Sequence, residues 1–383
     1  MKARAAVLWG TGQDWSVEEI DVDPPKAGEL SVAWKAAGMC HSDEHLVTGD
    51  MVPSAEMLAM VGLDRFFPVI GGHEGAGIVT DVGPGVTSVQ PGDHVSASFI
   101  PSCGRCRYCS TGRQNLCDLG AAAFLRGMIT DGTSRHRVRG DVDPILFGKL
   151  GTFAEQTTVA EASVIKVDDD LPLDVVALVS CGVATGWGSA CQRGDVQPGD
   201  TVVVVGIGGI GINAVQGARL AGARHIVAID PIEFKREKAM EFGATHTYAS
   251  MEEALQPVTE LSFGQMADKV IMTPGVLHGE LMALGTGLCG KGGTIVVTGI
   301  APMTQTEASI NLFELAMWNK EIKGTIFGSL NPRADIPKLL DLYRAGQLKL
   351  DELITNRYKL DEVNVGYQAM RDGTNIRGVI VHG

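Results

Sequence analysis

Basic residues are in deficit: 32 lysines and arginines face 45 acidic side chains, leaving a formal net charge of −13. A field of that sign repels nucleic acid and anionic membrane, so neither is an expected partner. Long apolar runs are also missing. The stretch Val202 to Val215 is broken by Gly206, Gly208, Gly209 and Gly211 and does not read as a membrane span. Met1 to Gly10 holds two basic residues and an apolar run too short for a signal-peptide core. A cytoplasmic location is therefore expected, where the eight cysteines stay reduced and serve metal or chemistry rather than disulfides. Aromatic residues make up only 5% of the chain, against 45% hydrophobic and 20% charged, a balance ordinary for a globular protein that argues against disorder. Neither an internal repeat nor a low-complexity segment is present.

A chain of 383 residues exceeds the size at which one hydrophobic core stops growing, so two domains are expected. Its 49 glycines exceed average usage and point to many tight turns or close backbone approaches. The first portion alternates short β-type runs with Gly and Pro turns: Arg4 to Trp9, Glu29 to Ala36, Gly77 to Asp81, His94 to Phe99 and Ala154 to Val159. That rhythm predicts a mostly antiparallel sheet. From Val183 the pattern changes to strand, Gly-rich turn and helix. Strands are predicted at Thr201 to Val205, His225 to Asp230, Lys269 to Thr273, Thr294 to Thr298 and Glu321 to Phe327. Continuous apolar strands alternating with helices predict an α/β fold with a doubly wound parallel sheet. Asp335 to Tyr343 is amphipathic and predicts a surface helix.

Cys103, Cys106, Cys109 and Cys117 form C-x2-C-x2-C-x7-C. Spacings this small let one loop fold four thiolates around a tetrahedral zinc with no position open for substrate, which makes the site structural. A redox C-x-x-C reading leaves two of the cysteines unexplained. A zinc module for nucleic acid would need a basic surface, and only Arg105, Arg107 and Arg113 are nearby. Two further elements suggest a second metal: Cys40 to His45, and Gly71-Gly72-His73-Glu74-Gly75-Ala76-Gly77. With Cys181 they supply the Cys2His set that binds zinc and leaves a fourth corner free. Spacing does not establish that Cys40, His73 and Cys181 converge.

The strand ending at Val205 leads into Gly206-Ile207-Gly208-Gly209-Ile210-Gly211 and a helix, with Asp230 at the end of the next strand. These glycines permit the tight turn, the approach of backbone to a pyrophosphate and close helix packing. Asp230 is expected to accept hydrogen bonds from the adenosine ribose and to repel a 2'-phosphate, favouring NAD over NADP.

The run Gly72 to Gly77, continued through Gly83 and Val86, resembles the signature of zinc-containing medium-chain alcohol dehydrogenases, and the similarity extends from Arg4 to Val381. Trp15 to Glu19, Asp230 to Lys235 and Phe327 to Arg333 resemble the actinobacterial nicotinoprotein branch. The resemblance implies a GroES-like catalytic domain at 1–182 and 327–383, with a zinc lobe at about 100–120, and a Rossmann NAD-binding domain at 183–326. It implies two zinc ions per chain, one held by Cys40, His73 and Cys181, the other by the four lobe cysteines. NAD(H) would stay bound through turnover, with mycofactocin or another redox partner as electron acceptor and N,N-dimethyl-4-nitrosoaniline (NDMA) as its artificial substitute.

For individual residues the resemblance places Lys235 at the ribose, Arg377 at the pyrophosphate, Thr185 at the nicotinamide, and Thr298 and Ile300 along the cofactor. His41 stands where related enzymes often carry an arginine. Asp43 would hold the second ring nitrogen of His73. Ser42 would take the alcohol proton and pass it through the ribose to His45. Glu74 either aids ligand exchange or is structural. The apolar segment Met51 to Phe67 either shapes the alcohol pocket or is a surface insertion or oligomer contact. Alternatives are a conventional dehydrogenase releasing NADH, a glutathione-dependent formaldehyde dehydrogenase, and a non-catalytic zinc-binding module. A homo-oligomer is expected by resemblance alone.

Overall fold

The computed structural model describes all residues, Met1–Gly383. They divide into two compact units: Met1–Cys181 with Asn331–Ala345 and Leu350–Gly383, and Gly182–Leu330 with Gly346–Lys349.

The first unit is built on two sheets. In one, Lys2–Leu8 lies between antiparallel Ser16–Val22 and the short strand Val69–Ile70, with His136–Val138 and Ile145–Leu146 at the edges. In the other, Glu29–Gly38 is central. It pairs antiparallel with Ala76–Val82, Gln156–Ala160 and Arg377–Val381, and His94–Ala97 extends the sheet beyond Ala76–Val82. The inward residues of the central strand and its neighbours, including Leu30, Val32, Trp34 and Val79, are fully buried. The central strand is buried at eight of its ten positions, as a strand paired on both sides and covered on both faces must be. Glu29, at the start of that strand, is also fully buried, and the guanidinium of Arg135 forks onto it with two bonds of 2.8 Å. A pair so placed satisfies both desolvated charges.

The second unit is a six-stranded parallel sheet in the order His246–Tyr248, His225–Ile229, Thr201–Val205, Ala267–Met272, Cys289–Val297, Glu321–Gly324. Counted within the unit this is 3-2-1-4-5-6, the dinucleotide-binding order, whose switch point lies beside Thr201–Val205. All five residues of that strand are buried, as β-branched side chains in a sheet covered on both faces must be. Helices Gly209–Leu220, Glu233–Phe242, Met251–Leu261, Leu281–Leu288 and Leu312–Met317 complete the alternation.

Two helical elements have no counterpart in the sequence reading. Leu173–Arg193 is helical throughout, and long and apolar enough by composition to cross a membrane; 89% of its most apolar window is buried inside the protein, the mark of a core helix. Within Met51 to Phe67, Ala55–Met60 forms a helix capped by Ser54 Oγ, which accepts the Met57 N–H at 3.2 Å. That helix buries no residue. Phe66 belongs to a core cluster with Trp15, Leu46 and Phe147, and Met51, Val52, Leu58 and Phe67 pack against it.

Candidate metal and cofactor sites

Cys40 follows the central strand of the first unit and caps the helix His41–Thr48 in extended conformation. His73 and Glu74 stand in the glycine-rich turn between Val69–Ile70 and Ala76–Val82. Gly72 has φ +87°, and a Cβ there would lie 2.4 Å from Thr152 Oγ1 and 2.5 Å from the Phe153 nitrogen. Only glycine lets this turn press onto the neighbouring backbone. Cys181 sits in the π-type turn Val179–Val183, where the long apolar helix widens. Such widenings are frequent at functional sites.

These elements bring Cys40, His73, Glu74 and Cys181 into one buried cluster, their ligand atoms all within 4.8 Å of one another. Asp43, fully buried, accepts the Gly72 N–H through Oδ1 at 2.7 Å and sets Oδ2 3.0 Å from His73 Nδ1. That approach is off the line of a hydrogen bond, so charge rather than alignment pairs the two. With Nδ1 engaged, Nε2 is left for a metal. Burial opposes a charged His73, but Asp43 and Cys40 more than offset it and hold its pKa well above the ordinary value. The Cys181 thiol draws the Cys40 thiol well below its usual range, and Cys40 with burial pushes Cys181 well above. The two thiols are thereby set apart in acidity. Glu74 Oε1 is buried without a partner, while Oε2 accepts from the buried Arg377, whose Nε has no partner. Burial pushes the Glu74 carboxyl up to about 7, with Arg377 pulling it down. Two thiols, a free imidazole nitrogen and an orphaned carboxylate oxygen form a donor set that fits zinc.

The lobe cysteines form a second cluster within the same 4.8 Å limit. Cys103 and Cys109 sulfurs are 3.9 Å apart, close to the ~3.8 Å edge of a zinc–thiolate tetrahedron and far beyond a disulfide. Backbone N–H groups point at the sulfurs, Cys106 onto Cys103 and Cys109 onto Cys106, each at 3.4 Å. Those of Asp118 and Cys109 bring the Cys106 thiol down to about 6. This cluster too fits zinc.

In the second unit Gly206 has φ +89°, and a Cβ at Gly211 would lie 1.9 Å from the Gly206 oxygen. Gly208, ahead of the helix Gly209–Leu220, has open space where its Cβ would be. Asp230 closes the turn from the neighbouring strand, its carboxylate accepting the N–H of Ile207 at 2.8 Å and of Ile232 at 2.9 Å. Lys235 is half-buried on the helix after it. Ser189 donates to the Thr185 carbonyl at 2.7 Å and lies 3.0 Å from Thr298 Oγ1, joining those two threonines. The Ile300 carbonyl accepts from Leu277.

Two family models match the chain, the alcohol dehydrogenase GroES-like domain over residues 26–169 and the zinc-binding dehydrogenase over residues 209–345. Over 382 residues the chain is 53% identical to the NDMA-dependent alcohol dehydrogenase of Amycolatopsis methanolica, covering all of this chain and 99% of that protein. The chain belongs to the zinc-binding alcohol dehydrogenase family. It is 37% identical over 389 residues to the S-(hydroxymethyl)glutathione dehydrogenase of Paracoccus denitrificans, spanning the whole of both. The solved benzyl alcohol dehydrogenase of Acinetobacter calcoaceticus matches over the whole of both chains, with a TM-score of 0.89 at 29% identity.

In this alcohol dehydrogenase Ser42 Oγ lies 3.6 Å from Cys40 Sγ. His45 is buried, with its Nδ1 3.2 Å from Asp50 Oδ2, which also accepts from Thr48 at 2.6 Å. The His41 ring lies 5.1 Å from that of His45. Asp50 was not singled out from sequence: it follows the helix end at Gly49, in a turn with no motif to mark it. Arg377 was placed by resemblance at a pyrophosphate, and its partner in the structure is Glu74. Because Gly72 is pinned by φ and by backbone, Gly72→Ala is expected to lower stability by about 2–4 kcal/mol. Gly208→Ala, with open space and φ −93°, should cost no more than about 1 kcal/mol. Thermal unfolding of both variants checks this, and equal midpoints would show that the His73 turn is not so constrained.

Proposed function

We propose that this enzyme oxidises alcohols to aldehydes, with hydride passing to an NAD that remains bound and is recycled in place by an external electron acceptor. The observation that carries the reading is the meeting of Cys40, His73 and Cys181, remote in sequence, in one buried cluster backed by Asp43. Zinc bound there would supply Lewis acidity toward the alcohol oxygen, and NAD the hydride acceptor. A second zinc in the lobe would be structural, making two per chain.

The chain's own groups divide the remaining work. Asp43 fixes the ring of His73. Ser42, next to Cys40, is placed to receive the alcohol proton and His45, which Asp50 and His41 adjoin, to release it; the ribose of a bound NAD would link the two. Glu74, with one orphaned oxygen among the ligands, offers a carboxylate for ligand exchange. Gly206, Gly208, Gly209, Ile210 and Gly211 present backbone N–H groups to the pyrophosphate. Asp230 and Lys235 take the adenosine ribose. The unpartnered Nε of Arg377 offers a second pyrophosphate donor, while Thr185, Thr298 and Ile300 line the nicotinamide end. His41 carries no fixed charge, so it does not by itself explain retention of the cofactor.

Recycling in place is supported by the 53% identity to the NDMA-dependent enzyme, and mycofactocin is the acceptor proposed on that likeness. Reduced thiols at both clusters suit the cytoplasm. Self-association is proposed through the second unit, where Leu312, Phe313 and Met317 are exposed on a helix preceding the edge strand Glu321–Gly324. An apolar patch beside an open sheet edge invites a second copy.

Two measurements test these readings. Enzyme as isolated, given an alcohol without air, should develop reduced-nicotinamide absorbance and turn over with NDMA without added NAD. Activity only with added NAD, or only with formaldehyde and glutathione, would favour the conventional or the glutathione-dependent reading. Light scattering should give a mass of at least two chains that falls in Phe313→Glu, whereas a monomeric wild type would end the self-association proposal.

A further inference from the structure

Two cations in the first unit direct their hydrogen bonds to backbone carbonyls. Lys149 is buried in the turn Phe147–Lys149. That turn is wedged against a proposed metal ligand: a Cβ on Gly148 would lie 2.9 Å from His73 Cβ and 3.0 Å from Phe99 Cβ. From it Lys149 Nζ donates to the carbonyls of Leu125 and, at 2.8 Å, Gly127, the residues on either side of Arg126. Arg126 reaches the other way. Its Nη2 meets the carbonyls of Arg65, Phe66 and Phe67 at 3.1, 3.1 and 2.9 Å, and its Nη1 donates to the Asp143 carbonyl.

The rings follow the same path. Phe147 stands edge-on to His73 with centroids 5.0 Å apart, Phe124 is 6.2 Å from Phe147, Phe66 is 6.2 Å from Phe124, and Phe67 is 5.2 Å from Phe66. Lys149 is desolvated and Arg126 half-buried, and a cation so placed on neutral carbonyls is costly for stability alone, because a carboxylate would offset its charge better. What carbonyls provide is a fixed backbone position.

We propose that Lys149 and Arg126 form a two-cation clamp that positions the Phe66–Phe67 wall relative to His73 and so determines which alcohols the site accepts, favouring aryl over short aliphatic ones. The inference rests on reading Cys40, His73 and Cys181 as the alcohol-oxidising centre. Both are positioning residues, acting through the wall. Aromatic side chains held in place give a flat substituent a packing surface that a short alkyl chain uses less.

The test compares kcat/KM for benzyl alcohol with that for 1-propanol, using NAD or NDMA, whichever the wild type employs. Arg126→Gln should lower the ratio about tenfold, mainly through KM for benzyl alcohol, with zinc content and kcat for 1-propanol retained. Lys149→Met should shift it the same way, and the double variant should exceed neither single by much, because both act through one wall. A ratio within about twofold of wild type, or parallel loss of both activities with loss of zinc, overturns the clamp. If Arg126→Gln is not recovered folded, Arg126→Lys and Phe67→Leu take its place with the same expected shift and the same contradicting result. Wild type that oxidises neither alcohol defeats the reading of the centre itself. Wild-type activity with an unmoved ratio defeats only the clamp.

Discussion

Two sulfurs, an imidazole and two carboxylates lie together in the first unit with almost no access to water, an arrangement that hydrophobic burial does nothing to favour. Cys40 and His73 each favour the other's charged form, Arg377 faces Glu74, and burial with Cys40 holds Cys181 toward its neutral thiol. A dication bound there would meet donor groups already held together and desolvated. The surrounding backbone serves that condition. The glycine run lets the His73 turn sit against Thr152 and Phe153, and Asp43 uses one oxygen for that turn and the other for the ring.

Locality decides how much of this can be read from sequence. The four lobe cysteines fall within one short loop, so their spacing announces a tetrahedral site before any fold is known. The Gly206 to Gly211 turn with Asp230 is likewise legible, because strand, turn and helix are contiguous and the acidic residue lies one strand later. Cys40, His73 and Cys181 are different. They come from three elements far apart in the chain, and only resemblance joined them in advance.

Contacts made to backbone left no trace in the sequence. Arg126 and Lys149 look like ordinary surface cations, since a carbonyl acceptor has no residue type. Asp50 sits in an unremarkable turn. The helix Leu173–Arg193 is not legible in the sequence because it is apolar enough to lose the 3.6-residue period that marks an amphipathic helix. Leu281–Leu288 carries two glycines and Met251–Leu261 a proline, and in each packing against the parallel sheet overrides weak intrinsic propensity.

Under the proposed function each chain would hold one zinc closed by four sulfurs and another bound by two sulfurs and a ring nitrogen with a position to spare. Zinc-edge X-ray absorption on the fully loaded protein, together with a metal count, tests it most directly. Two ions per chain are expected, with an average of about three sulfurs per zinc and a nitrogen or oxygen contribution near 2.0–2.1 Å. One ion per chain with four sulfurs and no light-atom ligand would contradict it.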